Sequence, residues 1–324
     1  MAKDADRLLE RALAREPRAL GRLITLVESG RGHELMKKIH RKSGHAHVTG
    51  FTGPPGAGKS SLIGLIAKDL AERGKKVGVI AIDPSSPFSG GAFLGDRVRM
   101  ADASADERVF IRSLGTRGHH GVLSAHTADI ARILDAAGFD EILIETVGAG
   151  QADVEIMRLS HTVVVLSVPG AGDDIQFAKA GILEIGAVFV VNKCDTEGWD
   201  AVFRDIELEL GGRAKRGETL FKTSAKTGEG VKELVDGLMG REAALRKSCR
   251  FHELRRGALE TRARDLLHSR LGEKASEWMS AAGADLLNKG HSPEEVAEKG
   301  TEEVLGNRGA KKRDPKKEAR RKRK

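Results

Sequence analysis

One short stretch limits what this chain can fold into more than any other. Gly53-Pro54-Pro55-Gly56-Ala57-Gly58-Lys59-Ser60 fits G-x-x-x-x-G-K-[ST] and stands between an apolar run at 48–52 and a helix-forming segment from Ser60 to about Arg73. Such a loop works only where a strand feeds a helix. Its glycines turn backbone amides toward phosphate oxygens, and the helix N-terminus adds positive potential. The pattern assigns Gly53 to Ser61 to phosphate binding, with Lys59 on the β- and γ-phosphates and the Ser60 hydroxyl on Mg²⁺.

The surrounding text repeats the same grammar. Short apolar runs at 77–82, 109–112, 142–144, 162–168, 187–191 and 220–223 read as strands, and residues 122–137 as a helix. Continuously apolar strands alternating with helices predict a mostly parallel sheet covered by helices on both faces. In such sheets ligands bind beyond the carboxyl ends of the strands. Upstream, residues 4–40 read as helices; Leu20, Leu23, Ile24 and Val27 form one apolar stripe, which needs either the core or a second subunit to cover it. Downstream of about residue 229 the pattern is helical, with amphipathic stretches at 253–271 and 293–305.

A second motif follows the run at 187–191. Asn192-Lys193-Cys194-Asp195 fits N-K-x-D, which places the Asp195 carboxylate on the guanine edge, accepting from N1–H and the 2-amino group. Adenine offers neither, and desolvated unpaired groups discriminate strongly. Lys193 would pack its stem along the base. Ser224-Ala225-Lys226, after the next strand, is placed to offer a backbone N–H to the guanine O6. Together the two loops imply that the ligand is GTP or GDP.

Acids at strand ends supply candidates for the metal and for the attacking water. Glu145 closes Ile142-Leu143-Ile144 and is followed by Gly148, an E-x-x-G in which the Gly148 amide faces the γ-phosphate. Asp83 ends the second strand, and Asp96 follows a glycine-rich loop; each also reads as an ordinary turn or capping carboxylate. No glutamine directly follows Gly148, Gln151 standing three positions on, so intrinsic hydrolysis is expected to be slow unless a partner completes the site.

Composition narrows the remaining choices. The net charge of +8 resides in 311–324, where ten basic residues face two acids, leaving 45 of each sign elsewhere. That run reads as a solvated, disordered end more readily than as a nucleic-acid contact. No apolar stretch approaches the roughly 20 residues that span a bilayer. Two cysteines and an N-terminus lacking an apolar signal segment lead to the expectation of a cytoplasmic protein in a reducing compartment.

GPPGAGKSSL, AIDPSSPFSGGAFLGDRVRM, SLGTRGHHG, DAAGFDEILIETVGAGQ, GDDIQFAKAGILEI, NKCD and TSAKTGEG together resemble the methylmalonyl-CoA mutase-associated GTPases (the MeaB/ArgK family) over roughly 46–240. The resemblance implies a dimeric P-loop GTPase of the SIMIBI group. Its expected role is that of a GTP-driven chaperone for an adenosylcobalamin-dependent acyl-CoA mutase on a separate chain, gating cofactor loading and protecting the mutase from inactivation. It implies Ser60, Asp83, Asp96 and Glu145 around Mg²⁺, and switches near 83–97, 145–160 and 170–185, with Lys179 in the third. It also implies an organisation of N-terminal helical arm 1–45, GTPase domain 46–240, helical dimerisation extension 241–308 and basic tail 309–324. Gly150-Gln151-Ala152-Asp153, Gly170-Ala171-Gly172-Asp173-Asp174 and Glu184-Ile185-Gly186-Ala187 depart from the family text, which leaves the partner mutase open.

A nickel or zinc metallochaperone GTPase is the alternative, resting on His119, His120 and His126 in the absence of any C-x-x-C. A protein kinase reading lacks a kinase catalytic loop, and an RNA-associated GTPase rests on the tail alone.

Overall fold

β-branched and aromatic runs that are apolar at nearly every position can be buried on both faces, and they become the strands. In the computed structural model, which describes residues 2–83, 100–115, 120–146, 158–170 and 186–306, these are β1 (His47–Thr52), β2 (Val77–Asp83), β3 (Val109–Gly115), β4 (Glu141–Glu145), β5 (Thr162–Ser167), β6 (Val188–Val191) and β7 (Leu220–Lys222). They form one sheet in the order β3-β2-β4-β1-β5-β6-β7. Each neighbouring pair is parallel.

Alternate residues of each strand serve opposite cores. Ile80, Ile82, Ile142, Ile144, Val163, Val165 and Val191 face a layer made by α1 (Ala2–Leu13), α2 (Pro17–Glu28), α3 (His33–His40), α6 (His120–Ala136) and α7 (Trp199–Leu210). Phe51, Val79, Leu143, Val164, Leu166 and Val190 face α4 (Lys59–Glu72), α5 (Ala101–Ser104) and α8 (Val231–Lys247). The apolar stripe Leu20, Leu23, Ile24 and Val27 is buried in the first layer with Ile130, Ile133 and Leu134 of α6, so the core covers it. Pro17 opens α2, where its missing N–H has no partner to lose. Strand periodicity located all seven strands to within a few residues; α7 was not anticipated.

β1 is central, and the chain leaves it for β2 and β3 on one side before returning to β4 beside it and crossing to β5. The loops after β1, β4 and β5 therefore converge at the point where strand order reverses, the crevice in which open α/β sheets bind ligands.

Two compact units divide at Glu260 and Thr261, inside α9 (Arg250–Trp278). The second holds α10 (Ala284–Asn288) and α11 (Pro293–Leu305). Ser292 and Glu295 form a reciprocal capping box at the start of α11, and Gly300 lets that helix approach the Trp278 ring, which a Cβ would meet at 2.7 Å. Among the described residues no helix is long and apolar enough to cross a membrane.

The fully buried Ile24 tests the attachment of α2. Ile24→Ala removes buried methyl groups from a closely packed layer and should lower stability by ~2–5 kcal/mol, read as a reduced urea midpoint at unchanged slope. A midpoint equal to wild type would show that α2 does not share the sheet's core.

Candidate nucleotide site

The loop after β1 is shaped by positions that only glycine fills without strain. Gly58 sits at φ +83°, and a Cβ there would lie 2.6 Å from Asn192 Nδ2. Gly53 sits at φ +155°, where a Cβ would lie 2.6 Å from the Leu166 carbonyl oxygen. The close approach of β5 and of Asn192 thus sets these two residue types. Pro54, Pro55, Gly56 and Ala57 complete the turn, and Lys59 begins α4, with Gly58 at its N-cap. Buried Lys59 spans the loop: its ammonium donates to the carbonyls of Gly53 at 2.8 Å and Pro54 at 3.1 Å.

Pairing of β1 with β4 sets Phe51 level with Glu145, so Glu145 arrives beside the start of the loop. Its Oε1 accepts a 2.7 Å hydrogen bond from the Ser60 hydroxyl, with both side chains buried. A hydroxyl and a carboxylate side by side at a helix N-terminus are hard oxygen donors that suit Mg²⁺. Thr146 then fastens the exit of β4 by donating to the Phe51 carbonyl at 3.2 Å.

The second loop leaves β6. Buried Asn192 donates through Nδ2 to the Ala57 carbonyl at 2.8 Å, and its Oδ1 accepts from Thr223 Oγ1 at 3.0 Å and from the Ala225 amide at 3.1 Å. One amide therefore joins the phosphate loop to the ends of β6 and β7. Thr223 was not anticipated, although it stands immediately before Ser224-Ala225-Lys226. Lys193 holds φ +62°, a left-handed conformation rare for a side-chain-bearing residue and concentrated at functional sites. Asp195 Oδ1 accepts from Ser224 Oγ at 2.6 Å, and Lys226 Nζ lies 4.0 Å from Oδ2. The Ser224 hydrogen bond is the main cause holding this carboxyl below its ordinary range, leaving it an ionised acceptor. The Ser224 amide is already bonded to the Glu229 carbonyl at 3.0 Å. Cys194 is buried, and burial is the first cause of its raised thiol pKa, which makes it a packing residue.

The structure thus brings together Gly53 to Ser61, Glu145, Asn192 to Asp195 and Ser224 to Lys226. Asp83 stands at the end of β2, level with Gly115 of β3. Asp96, Gly148, Lys179 and His119, with most of the three expected switches, lie outside the described residues.

The sequence model of the "Methylmalonyl Co-A mutase-associated GTPase MeaB" family matches residues 20–280. The chain belongs to the MeaB family. A Pyrococcus horikoshii protein named as a GTPase is 41% identical over 312 residues, 93% of this chain and 98% of its own. The mouse mitochondrial protein named methylmalonic aciduria type A homolog is 37% identical over 195 residues, 58% of this chain and 47% of its own. Among solved structures, the LAO/AO transport system kinase superposes with a TM-score of 0.67 at 23% identity, covering 94% of this chain and 99% of that one, and so shares the fold. Family and relatives make this MeaB-family chain a GTPase, binding GTP and releasing GDP and phosphate.

In this MeaB-family chain Gly58→Ala forces a Cβ into a left-handed position against Asn192. The variant should lose ~1–2 kcal/mol of stability and bind GTP more weakly, both measurable by melting with and without nucleotide. Undiminished GTP-induced stabilisation would remove the Asn192 contact from the site's requirements.

Proposed function

We propose that the two joined loops form one guanine-nucleotide site and that its hydrolytic cycle serves an adenosylcobalamin-dependent acyl-CoA mutase. The observation that carries the first part is the Asn192–Ala57 bridge, which fixes the distance between the base loop and the phosphate loop. In this reading the amides of Gly53 to Ser61 receive phosphate oxygens, and Lys59 exchanges its loop carbonyls for the β- and γ-phosphates. Ser60 and Glu145 hold Mg²⁺, with Asp83 and Asp96 completing its surroundings. When bound, the ion neutralises charge developing on the transferred phosphoryl group. Asp195 accepts from guanine N1–H and the 2-amino group, Lys193 packs along the base, and Gly148 and Lys179 respond to the γ-phosphate.

Support for the mutase comes from the family's description and from the mouse relative named for methylmalonic aciduria. We infer that this chain acts in the cytoplasm as a homodimer joined through helices in 241–308. It gates cofactor loading of a mutase on a separate chain and protects that mutase from inactivation.

Asp195→Asn should weaken GTP by ~10²-fold or more and admit xanthine nucleotide, because the amide now donates where guanine also donates. Calorimetry showing wild-type GTP affinity would contradict the base assignment. Lys59→Ala should slow hydrolysis by at least ~10²-fold; full turnover would take the loop out of the mechanism. The mutase reading is tested by capture from native lysate on protein loaded with GDP or a non-hydrolysable GTP analogue. The expected result is nucleotide-dependent recovery of a cobalamin-dependent mutase identified by mass spectrometry; its absence in both states would defeat that reading while leaving the nucleotide site standing.

A further inference from the structure

The sheet carries a second buried polar cluster at the opposite end from the nucleotide site. His47 begins β1 and Glu141 begins β4, the two residues are register partners, and Thr162 begins β5. Against them lies Glu242 of α8; His47, Glu141 and Glu242 are 1%, 4% and 7% exposed. We propose that a carboxyl proton kept on Glu141, facing Glu242, latches α8 to the amino ends of β1 and β4, and that its loss as pH rises loosens that helix.

Hydrogen-bond accounting carries this. His47 Nδ1 lies 2.9 Å from Glu141 Oε2, and Nε2 lies 3.0 Å from Thr162 Oγ1. A neutral imidazole satisfies both, donating through Nδ1–H to Glu141 and accepting the Thr162 hydroxyl at Nε2. Glu141 and Glu242, both buried, place carboxyl oxygens within 4.8 Å of each other, and two like charges so close and so poorly solvated favour the state in which one keeps a proton. Charge decides which one. Glu242 Oε1 takes Arg246 Nε at 2.8 Å, and Lys75 Nζ stands 3.6 Å from Oε2. Arg246 is itself fixed by the His45 carbonyl at 2.6 Å and by the Phe251 ring, 4.1 Å away. Both near cations therefore serve Glu242, and the proton stays on Glu141.

The other neighbours agree. His161 stacks on Phe251 at 4.1 Å and accepts the Val48 amide at 2.9 Å. Burial first, with the nearby Arg246 and Arg255 guanidinium groups, pushes its pKa down to about 3, so it brings no positive charge to Glu141. Burial is likewise the main reason the Glu141 carboxyl is raised; His47 opposes the rise and Glu242 adds to it. Glu242 falls below its ordinary range because hydrogen bonds from Glu141 and Arg246 outweigh its own burial. The signs follow. The Glu141 contribution is complete below the ordinary carboxylate pKa and is lost as pH climbs through the raised folded value; that of Glu242 is lost only on acidification through its lowered one.

His47, Glu141 and Glu242 also place ligand atoms within 4.8 Å of one another, a set that could take a divalent cation. Arg246, Lys75 and Thr162 already engage two of the three, so an added cation would meet two positive charges.

Hydrogen exchange of α8 and thermal melting of the full chain from pH ~5 to ~9 test the latch. In wild type, α8 amides should exchange faster and the melting temperature fall by at least ~3 °C toward the alkaline end, with an infrared band of a protonated carboxyl present at neutral pH. Glu141→Gln keeps a permanent N–H for Glu242 and a carbonyl for His47. It should abolish both alkaline changes, remove the band and leave GTP hydrolysis unaltered. Three results would overturn the proposal. The variant could keep the wild-type slope, it could be destabilised across the whole pH range, or one equivalent of Zn²⁺ or Ni²⁺ could stabilise wild type and not the variant.

Discussion

The side chain of Asn192 is the point on which the nucleotide site turns. Its amide is buried, and donor and acceptor are both used, one on the phosphate loop and the other on the ends of β6 and β7. The ribose limits how far a guanine base can lie from its phosphates, so a site for such a nucleotide needs two loops of different strands held at a matching separation. A flexible salt bridge at the surface would not supply that. A buried amide does, because leaving either of its polar atoms unsatisfied costs about 1–3 kcal/mol. The requirement for glycine at position 58 then follows, since the approaching Nδ2 occupies the volume of a Cβ. The left-handed turn at Lys193 is a further consequence of bringing the loop round.

Much of this was legible in the sequence, for identifiable reasons. Strands buried on both faces read as unbroken apolar runs, and the glycine-rich loop and N-K-x-D carry residue types that geometry dictates. The apolar stripe of α2 announced a covered face, although whether the core or a second subunit covers it became clear only from the packing on α6. The weakly patterned α7 escaped notice because Phe203 and Leu210 are its buried residues and most of the helix lies on the surface. Contacts set by strand register were also hidden. His47 and Glu141 are 94 positions apart, and Asn192 and Ala57 are 135. No local periodicity joins such pairs; only the order β4-β1-β5-β6 does.

That order gives the sheet two polar ends with different tasks. At the carboxyl ends, the loops gather the Lys59 ammonium, the Ser60 hydroxyl, the Glu145 carboxylate and the Asn192 amide. At the amino ends, α8, Phe251 and His161 enclose the polar groups so that they satisfy one another. Buried ionic groups of the second kind add little net stability compared with apolar packing, but removing one partner is strongly destabilising. They bear on how α8 is seated, because in this seating Glu242, Arg246 and Lys75 are engaged together.

Strand β4 states the contrast within one short segment. Glu141 and Glu145 stand four residues apart, on the same face of the sheet, and both are buried. In the sequence Glu145 stands out through the Gly148 that follows it, whereas Glu141 carries no such mark. Their neighbours separate them. Glu141 meets a second carboxylate whose cations are already engaged, which favours retention of a proton. Glu145 meets the Ser60 hydroxyl at the N-terminus of α4, where backbone amides and the helix end favour negative charge. The same side chain thus becomes a hydrogen-bond donor at one end of the strand and an acceptor for the Ser60 hydroxyl at the other. The difference arises entirely from which helix the sheet topology lays against each end.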